Sequence, residues 1–428
     1  MIQPEMRNSG CPMQNADSLH VALRPVIYLA QCFALFPVNG INSKDTSGLR
    51  FTWRSFKILY AAVVLGMSIF LAIASTVRLF SSEFHTTKMT TLVFSITTCL
   101  TSIIFLRLAT KWPEFASSWE KVERELATRH RRPPKFNLTT RFKTITAIIM
   151  ILAVVEHTFS LASGYISATE CANYRGDKNI AAVYYKTQYP QVFNRTSYAL
   201  WKGIIVQFGH VFSTFSWNFM DLFIILLSTA LTYHFSQLND RLNSVKNKTM
   251  PEWWWSHARI DYNNLANLTR QVDSYISVIT LLSFGTDLYF ICLQLMYSFD
   301  RISTSVMRTI YLCFSFGFLL ARTTAVCLSA AAVHDESVLP APVLYSVNAA
   351  SYSTEVIRFL TQVTTDFIGL TGMKFFSITR SFVLTVAGTI VTYEIVLVQF
   401  SAVQQASHIN ITNACEKAQY CIQGDERV

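Results

Sequence analysis

The chain has 428 residues, 51% of them hydrophobic and only 14% charged, against about 25% charged in an ordinary soluble domain. That balance excludes a soluble globular protein. The net charge of +10 is not gathered into any long Lys/Arg block, so nothing points to nucleic acid, and the nine cysteines show no CxxC or Cys/His spacing that would hold a metal.

In chain order, the first 50 residues lack the charged, apolar and small-residue sequence of a cleaved signal, which favours a cytoplasmic N-terminus. Residues 26–38 are apolar but short and interrupted by Pro25 and Pro37, and read as an interfacial or buried pre-helix. Hydropathy then predicts seven spans, near 58–79, 89–108, 144–164, 206–232, 276–299, 309–331 and 379–401, each close to the ~20 residues that cross a bilayer. The expected fold is an all-α polytopic membrane protein of seven transmembrane helices. A cytoplasmic segment 1–57 precedes the membrane domain 58–401, and an extracellular tail 402–428 follows it. The stretches 109–143, 234–275 and 332–378 are then cytoplasmic and patterned enough to be helical extensions.

Charge supports that direction. The 109–143 loop holds nine Lys/Arg and the similarly long 165–205 loop five, as the positive-inside rule requires. The sequons at Asn194 and Asn410 would face outward for glycosylation, whereas those at Asn137, Asn247 and Asn267 would face inward. Cys171, Cys415 and Cys421 share the outer side and permit one disulfide. Trp253, Trp254 and Trp255 read as an interfacial aromatic belt or, because polar residues flank them, as the packed core of a cytoplasmic assembly region.

Ionisable groups inside a bilayer are rare and mark function, pairing or both. Here they are Glu156 and His157 in the third span, Asp221 in the fourth, Asp287 in the fifth, Arg322 in the sixth and Glu394 in the seventh. Glu156, Ser160, Ser163 and Ser167 lie on one helical face; so do Thr214, Asn218 and Asp221 beside Trp217, and Asp287 and Gln294 near Tyr289. Three wet stripes with aromatic neighbours predict an outward-opening pocket for a neutral polyhydroxylated ligand. Its candidate residues are Glu156, His157, Trp217, Asn218, Asp221, Asp287, Tyr289 and Gln294. Arg322 needs a partner, so Asp221, Asp287 or Glu156 serves equally well as its structural counter-ion.

The seventh span carries Thr385, Thr389, Thr392, Val396 and Gln399 at alternating spacings of four and three. Four copies around an axis would make a polar tube. Gln399 and Phe400 differ by about 100° around the helix, so a small rotation exchanges an amide ring for an apolar one, a workable gate.

The string Thr392-Tyr393-Glu394-Ile395-Val396-Leu397-Val398-Gln399-Phe400 resembles the final-helix signature of insect gustatory receptors. Further segments resemble the sugar-receptor branch of that family: Leu23-Arg24-Pro25, Phe36-Pro37-Val38-Asn39-Gly40, Phe215 through Asp221, Arg322 through Cys327, and His334-Asp335-Glu336-Ser337. His334 departs from the Asn expected there. The resemblance implies a ligand-gated, non-selective cation channel in the plasma membrane of taste neurons. It implies a homotetramer, or a heteromer with related receptors, with the last helix around the pore and a sugar pocket in each subunit. Thr392, Tyr393, Gln399 and Phe400 carry over as pore residues, and Val396 joins them on spacing. No cofactor or enzymatic role is implied. A G-protein-coupled receptor would need an extracellular N-terminus, and a sugar transporter would show broken helices and paired repeats.

Overall fold

The structure, a computed structural model, describes residues 18–81, 86–129, 137–299 and 306–407. Asn410, Cys415 and Cys421 lie outside the described residues, and of Gln399 and Phe400 only their place in the last helix is described. The elements are almost all helical: α1 (Leu19–Cys32), α2 (Phe56–Phe80), α3 (Thr86–Arg129), α4 (Leu138–Arg175), α5 (Ile180–Gln188), α6 (Pro190–Phe193), α7 (Leu200–Ser244), α8 (Glu252–Phe299), α9 (Val306–Val338), α10 (Pro340–Tyr345), α11 (Thr354–Thr365) and α12 (Arg380–Ser407). A hairpin of two short strands, β1 (Thr371–Gly372) and β2 (Phe376–Ser377), lies between α11 and α12.

Six helices among the described residues, α2, α3, α4, α7, α8 and α9, are long and apolar enough to cross a membrane. Most are longer than crossing needs, and three stand out. At 1.5 Å per residue, the 44 residues of α3 extend about 66 Å, roughly twice the ~30 Å hydrocarbon core; α7 and α8 are similar, with 45 and 48 residues. The excess at one end forms a second packed region, rich in fully buried aromatic side chains: Trp112, Phe115, Trp119, Phe235, Trp255, Tyr262 and Phe359. Of the tryptophan triplet, Trp254 and Trp255 are buried there and Trp253 is 61% exposed. Ion pairs tie its helices together, with Arg241 at 2.7 Å from Asp261 and Arg259 at 2.9 Å from Glu355. α11 lays Val356, Phe359 and Val363 onto this core.

α1 begins at Ser18, whose hydroxyl accepts from the Val21 amide, a side-chain cap for an otherwise unpaired donor. Its face Ala22, Leu23, Val26, Ile27 and Ala30 is buried. Glu123 of α3 holds its start, accepting from the Leu19 amide (3.0 Å), the Trp119 indole (2.8 Å) and His234 of α7 (3.1 Å).

α7 is the hub, in contact with α3, α4, α8 and α9. In its most apolar window 78% of residues are buried, against 11% for α4, so α4 offers its apolar side outward. Between them, α5 and α6 cap the end opposite the extension. α5 sits close because two neighbours lack side chains. A Cβ on Gly203 would come within 2.7 Å of the Tyr185 ring, and one on Gly164 within 3.2 Å of Tyr184.

Candidate functional site

Arg322 of α9 is the centre of a closed ionic cluster. Its Nε lies 2.6 Å from Asp221 of α7 and its Nη2 3.2 Å from Asp287 of α8, with all three side chains essentially buried. Its Nη1 donates to the Asn218 carbonyl oxygen, and the guanidinium lies 4.4 Å from the Trp217 ring centre, a cation–π placement. Further donors reach the carboxylates. Asp221 accepts from Ser283 at 2.5 Å; Asp287 accepts from Trp217 Nε1 at 3.2 Å and Thr323 at 2.8 Å. Three helices thus share one guanidinium and two carboxylates, with the hydrogen bonds that a desolvated ion cluster requires.

Two turns along α9, Ser315 donates to Glu156 of α4 at 2.6 Å and accepts from Gln294 of α8 at 3.1 Å. Next to Glu156, the His157 ring stacks on His210 of α7 at 5.6 Å. His210 also faces Phe94 and Tyr189. One turn further, the Gln207 carbonyl oxygen accepts from Tyr184 (3.2 Å) and Tyr189 (2.9 Å) of the α5–α6 cap. In this shell His157 Nε2, His210 Nδ1, Gln207 Nε2 and Gln294 Oε1 are buried polar atoms without a hydrogen-bond partner; in the cluster beneath it Asp221 Oδ2 and Arg322 Nε are so too, but they face each other as an ion pair. Buried groups are ordinarily paired, so four orphans in one aromatic-walled region describe donors and acceptors presented to something else.

Of the sequence candidates, Trp217, Asn218, Asp221 and Asp287 therefore meet around Arg322, while Glu156, His157 and Gln294 meet in the shell above. Tyr289 packs edge-on against Phe290 at 5.3 Å and makes no contact with either group that the geometry requires. Sequence reasoning missed Gln207, His210, Tyr184 and Tyr189. The signal was present: Gln207, His210, Thr214, Asn218 and Asp221 follow spacings of three, four, four and three, so the α7 stripe runs two turns further than its polar centre indicated.

The last helix is arranged differently. Along α12, Thr385, Thr389 and Thr392 each donate back to a carbonyl one turn earlier, at 2.9–3.1 Å. All three are exposed, as are Tyr393 (45%) and Val396 (39%). α12 touches α8 and α9, and among its described side chains Leu384 and Ile395 are exposed as well. Asn194, at the end of α6, is exposed.

The family model described as "Trehalose receptor" matches residues 6–409. The chain belongs to this family of insect gustatory receptors. Its relatives in Drosophila melanogaster include "Gustatory receptor for sugar taste 64f", 36% identical over 92% of this chain and 85% of the relative, and "Gustatory receptor 5a for trehalose", 35% identical over 93% and 88%. The fold is shared with the insect olfactory receptor OR5 of Machilis hrabei, solved in complex with eugenol. That structure has a TM-score of 0.64 at 15% identity, over 89% of this chain and 99% of the other. Family and fold make the chain a membrane-embedded gustatory sugar receptor.

Proposed function

We propose that this receptor is a sugar-gated, non-selective cation channel of the plasma membrane. Its N-terminus is cytoplasmic and its C-terminus extracellular, and four subunits, identical or mixed with related gustatory receptors, surround a pore lined by α12. α12 is the seventh transmembrane helix, and the aromatic-rich extension is the cytoplasmic anchor between subunits. The observation that carries the ligand site is the orphaned set His157 Nε2, His210 Nδ1, Gln207 Nε2 and Gln294 Oε1 beside Glu156. Vicinal hydroxyls donate and accept at once, so a sugar satisfies imidazole, amide and carboxylate together. Phe94 and Tyr189 offer ring faces to its C–H surface. The Arg322 cluster, with Trp217, Asn218, Asp221 and Asp287, is the floor of that site, and the α5–α6 tyrosines are its rim. The relatives' names make trehalose the first sugar to try.

α12 supports the pore role because the hydroxyl row Thr385, Thr389 and Thr392 is exposed on its own chain. Further copies would cover its apolar positions and keep Thr385, Thr389, Thr392 and Gln399 on the axis, with Val396 and Phe400 forming the apolar constriction and Tyr393 beside them. Glycan at Asn194 and Asn410 would accompany this orientation.

The test is patch recording from cells expressing this chain alone, against trehalose, sucrose, glucose and fructose. Sugar-evoked cation current is expected. His210→Ala, removing one ligand hydrogen bond, should raise the half-maximal sugar concentration by about tenfold without changing the maximal current. An unchanged dose-response in His210→Ala would remove the shell from the ligand site. Sugar uptake without current would favour a transporter.

A further inference from the structure

α12 packs against α8 and α9, with Ile390 beside the Phe290 and Leu319 side chains one turn from Asp287 and Arg322, and the approach to its first residue is tied to the same two helices three times. α8 runs from Asp287 back to Asp273, fourteen residues or about 21 Å of helix. There Asp273 accepts from the Thr371 amide at 2.6 Å and from the Thr371 hydroxyl at 2.9 Å. Thr371 opens the hairpin that leads into α12. α9 runs from Arg322 to His334 and Asp335, about 20 Å. His334 bonds the Ile368 carbonyl at 3.0 Å and stacks on Phe367 at 4.8 Å, and Asp335 pairs with Arg380, the first residue of α12, at 2.5 Å.

A third tie is aromatic. Phe376 of β2 and Phe382 of α12 stack in parallel at 4.8 Å, and both meet Phe284 of α8 edge-on. Phe284 follows Ser283, the residue bonded to Asp221. The side chains that make these ties thus come from α8 and α9, two of the three helices that share the Arg322 cluster.

The hairpin between these ties is strained. Its turn places Met373 and Lys374 at φ of 50° and 62°, the left-handed region that glycine and asparagine normally occupy in such turns. Strain of this kind persists where surroundings impose it and gathers at switch segments. Phe375, at the tip, is 79% exposed, so packing of that side chain does not explain it. The holds at Asp273 and Arg380 do.

We propose that the 371–377 hairpin is the coupling element of the receptor and that Asp273 is its principal positioning residue. Displacement of α8 at the Arg322 cluster reaches α12 through the Asp273–Thr371 bonds and the Phe284–Phe376–Phe382 stack. Asp335 and Arg380 set the pivot. The inference rests on α12 being the pore helix.

The test compares wild type, Asp273→Ala and Asp273→Asn, which keeps an acceptor for the Thr371 amide. Three readouts are taken on full-length protein: trehalose binding to purified receptor, maximal trehalose-evoked current, and emission of a fluorescent amino acid at Phe375 on trehalose addition. Asp273→Ala should bind trehalose as wild type does, lose about tenfold in maximal current and lose the Phe375 response, while Asp273→Asn retains most of both. Should Asp273→Ala fail to reach the surface, Thr371→Val carries the test, with binding kept and the Phe375 response reduced. A wild-type Phe375 response in Asp273→Ala, or in Thr371→Val, overturns the proposal. Current unchanged by Asp273→Ala would sink the coupler and leave the channel standing. A Phe375 response that needs Asp273, with no current from any variant, would do the reverse.

Discussion

α7 and α12 carry similar polar patterns and use them in opposite ways. Both carry polar side chains at three- and four-residue spacings. In α7 Asn218 and Asp221 reach across to Arg322 and Gln207 to Tyr184 and Tyr189, while Thr214 donates back to the His210 carbonyl. In α12 the threonines turn back to their own carbonyls, and their faces stay uncovered. Spacing alone therefore does not separate a polar stripe that holds a bundle together from one that is kept free. The partner does. A cross-helix bond fixes packing, whereas a back-bonded hydroxyl commits its proton within its own helix and leaves its lone pairs and its methyl group for another copy or for water.

The sharpest way to break this comparison is to remove one member of the α7 cluster. Arg322→Ala leaves two buried carboxylates facing each other without a cation, a change that costs about 3–5 kcal/mol in buried ion clusters. We expect loss of surface labelling and a collapsed thermal transition in detergent. Replacing Arg322, Asp221 and Asp287 together by apolar residues of matching volume should recover much of that loss, since the desolvation penalty leaves with the charges. A normal transition in Arg322→Ala would show that the cluster is not what holds α7, α8 and α9 in register.

How much of this was readable beforehand follows the same division. Seven spans were expected from apolar runs whose length the bilayer dictates, and six helices among the described residues are long and apolar enough to cross. Their continuation beyond the membrane was visible in patterned charge around Trp119 and Leu126. The acids around Arg322 stood out because charges inside spans are rare, and Asp221 and Asp287 were two of three partners offered. Which acids paired was not legible, because it depends on how three helices are rotated. The α5–α6 cap carries no periodic signal in nine and four residues, so Tyr184 and Tyr189 were invisible. The hairpin at 371–377 was hidden more thoroughly. Its turn uses Met373 and Lys374 where sequence reasoning looks for Asn-Gly, and strands of two residues show no alternation.

The counterpart in α12 is expected to be small in stability and large in conduction. Thr389→Val and Thr392→Val each remove a hydroxyl already bonded within its own helix, on an exposed face. Thermal stability should move by less than about 0.5 kcal/mol, as for substitutions away from packed contacts. Unitary conductance should change in both, because the axis would lose a ring of oxygens with each. Conductance identical to wild type in both variants would mean that this face does not border the ion path, and the exposure of α12 would then need lipid as its cause.

The mildest effect tests whether cross-element bonding at the aqueous end behaves as it does in the bundle. His20 of α1 is buried, and its Nε2 lies 3.1 Å from the Ser43 carbonyl oxygen. Burial holds the imidazole below its usual value of 6.5, with Arg24 adding to the effect while the Ser43 carbonyl, Glu120 and Asp45 oppose it. The folded state then binds fewer protons than the unfolded state once the pH drops below 6.5. The contribution of His20 is complete above that pH and is lost as the pH falls through it. Glu123, holding α1 by its first amide, resists the change locally. Thermal transitions of purified receptor between pH 7.5 and 5 should therefore fall less steeply in His20→Gln, which keeps a donor for Ser43 but does not titrate, than in wild type. Equal slopes would show that α1 loosens without charging His20.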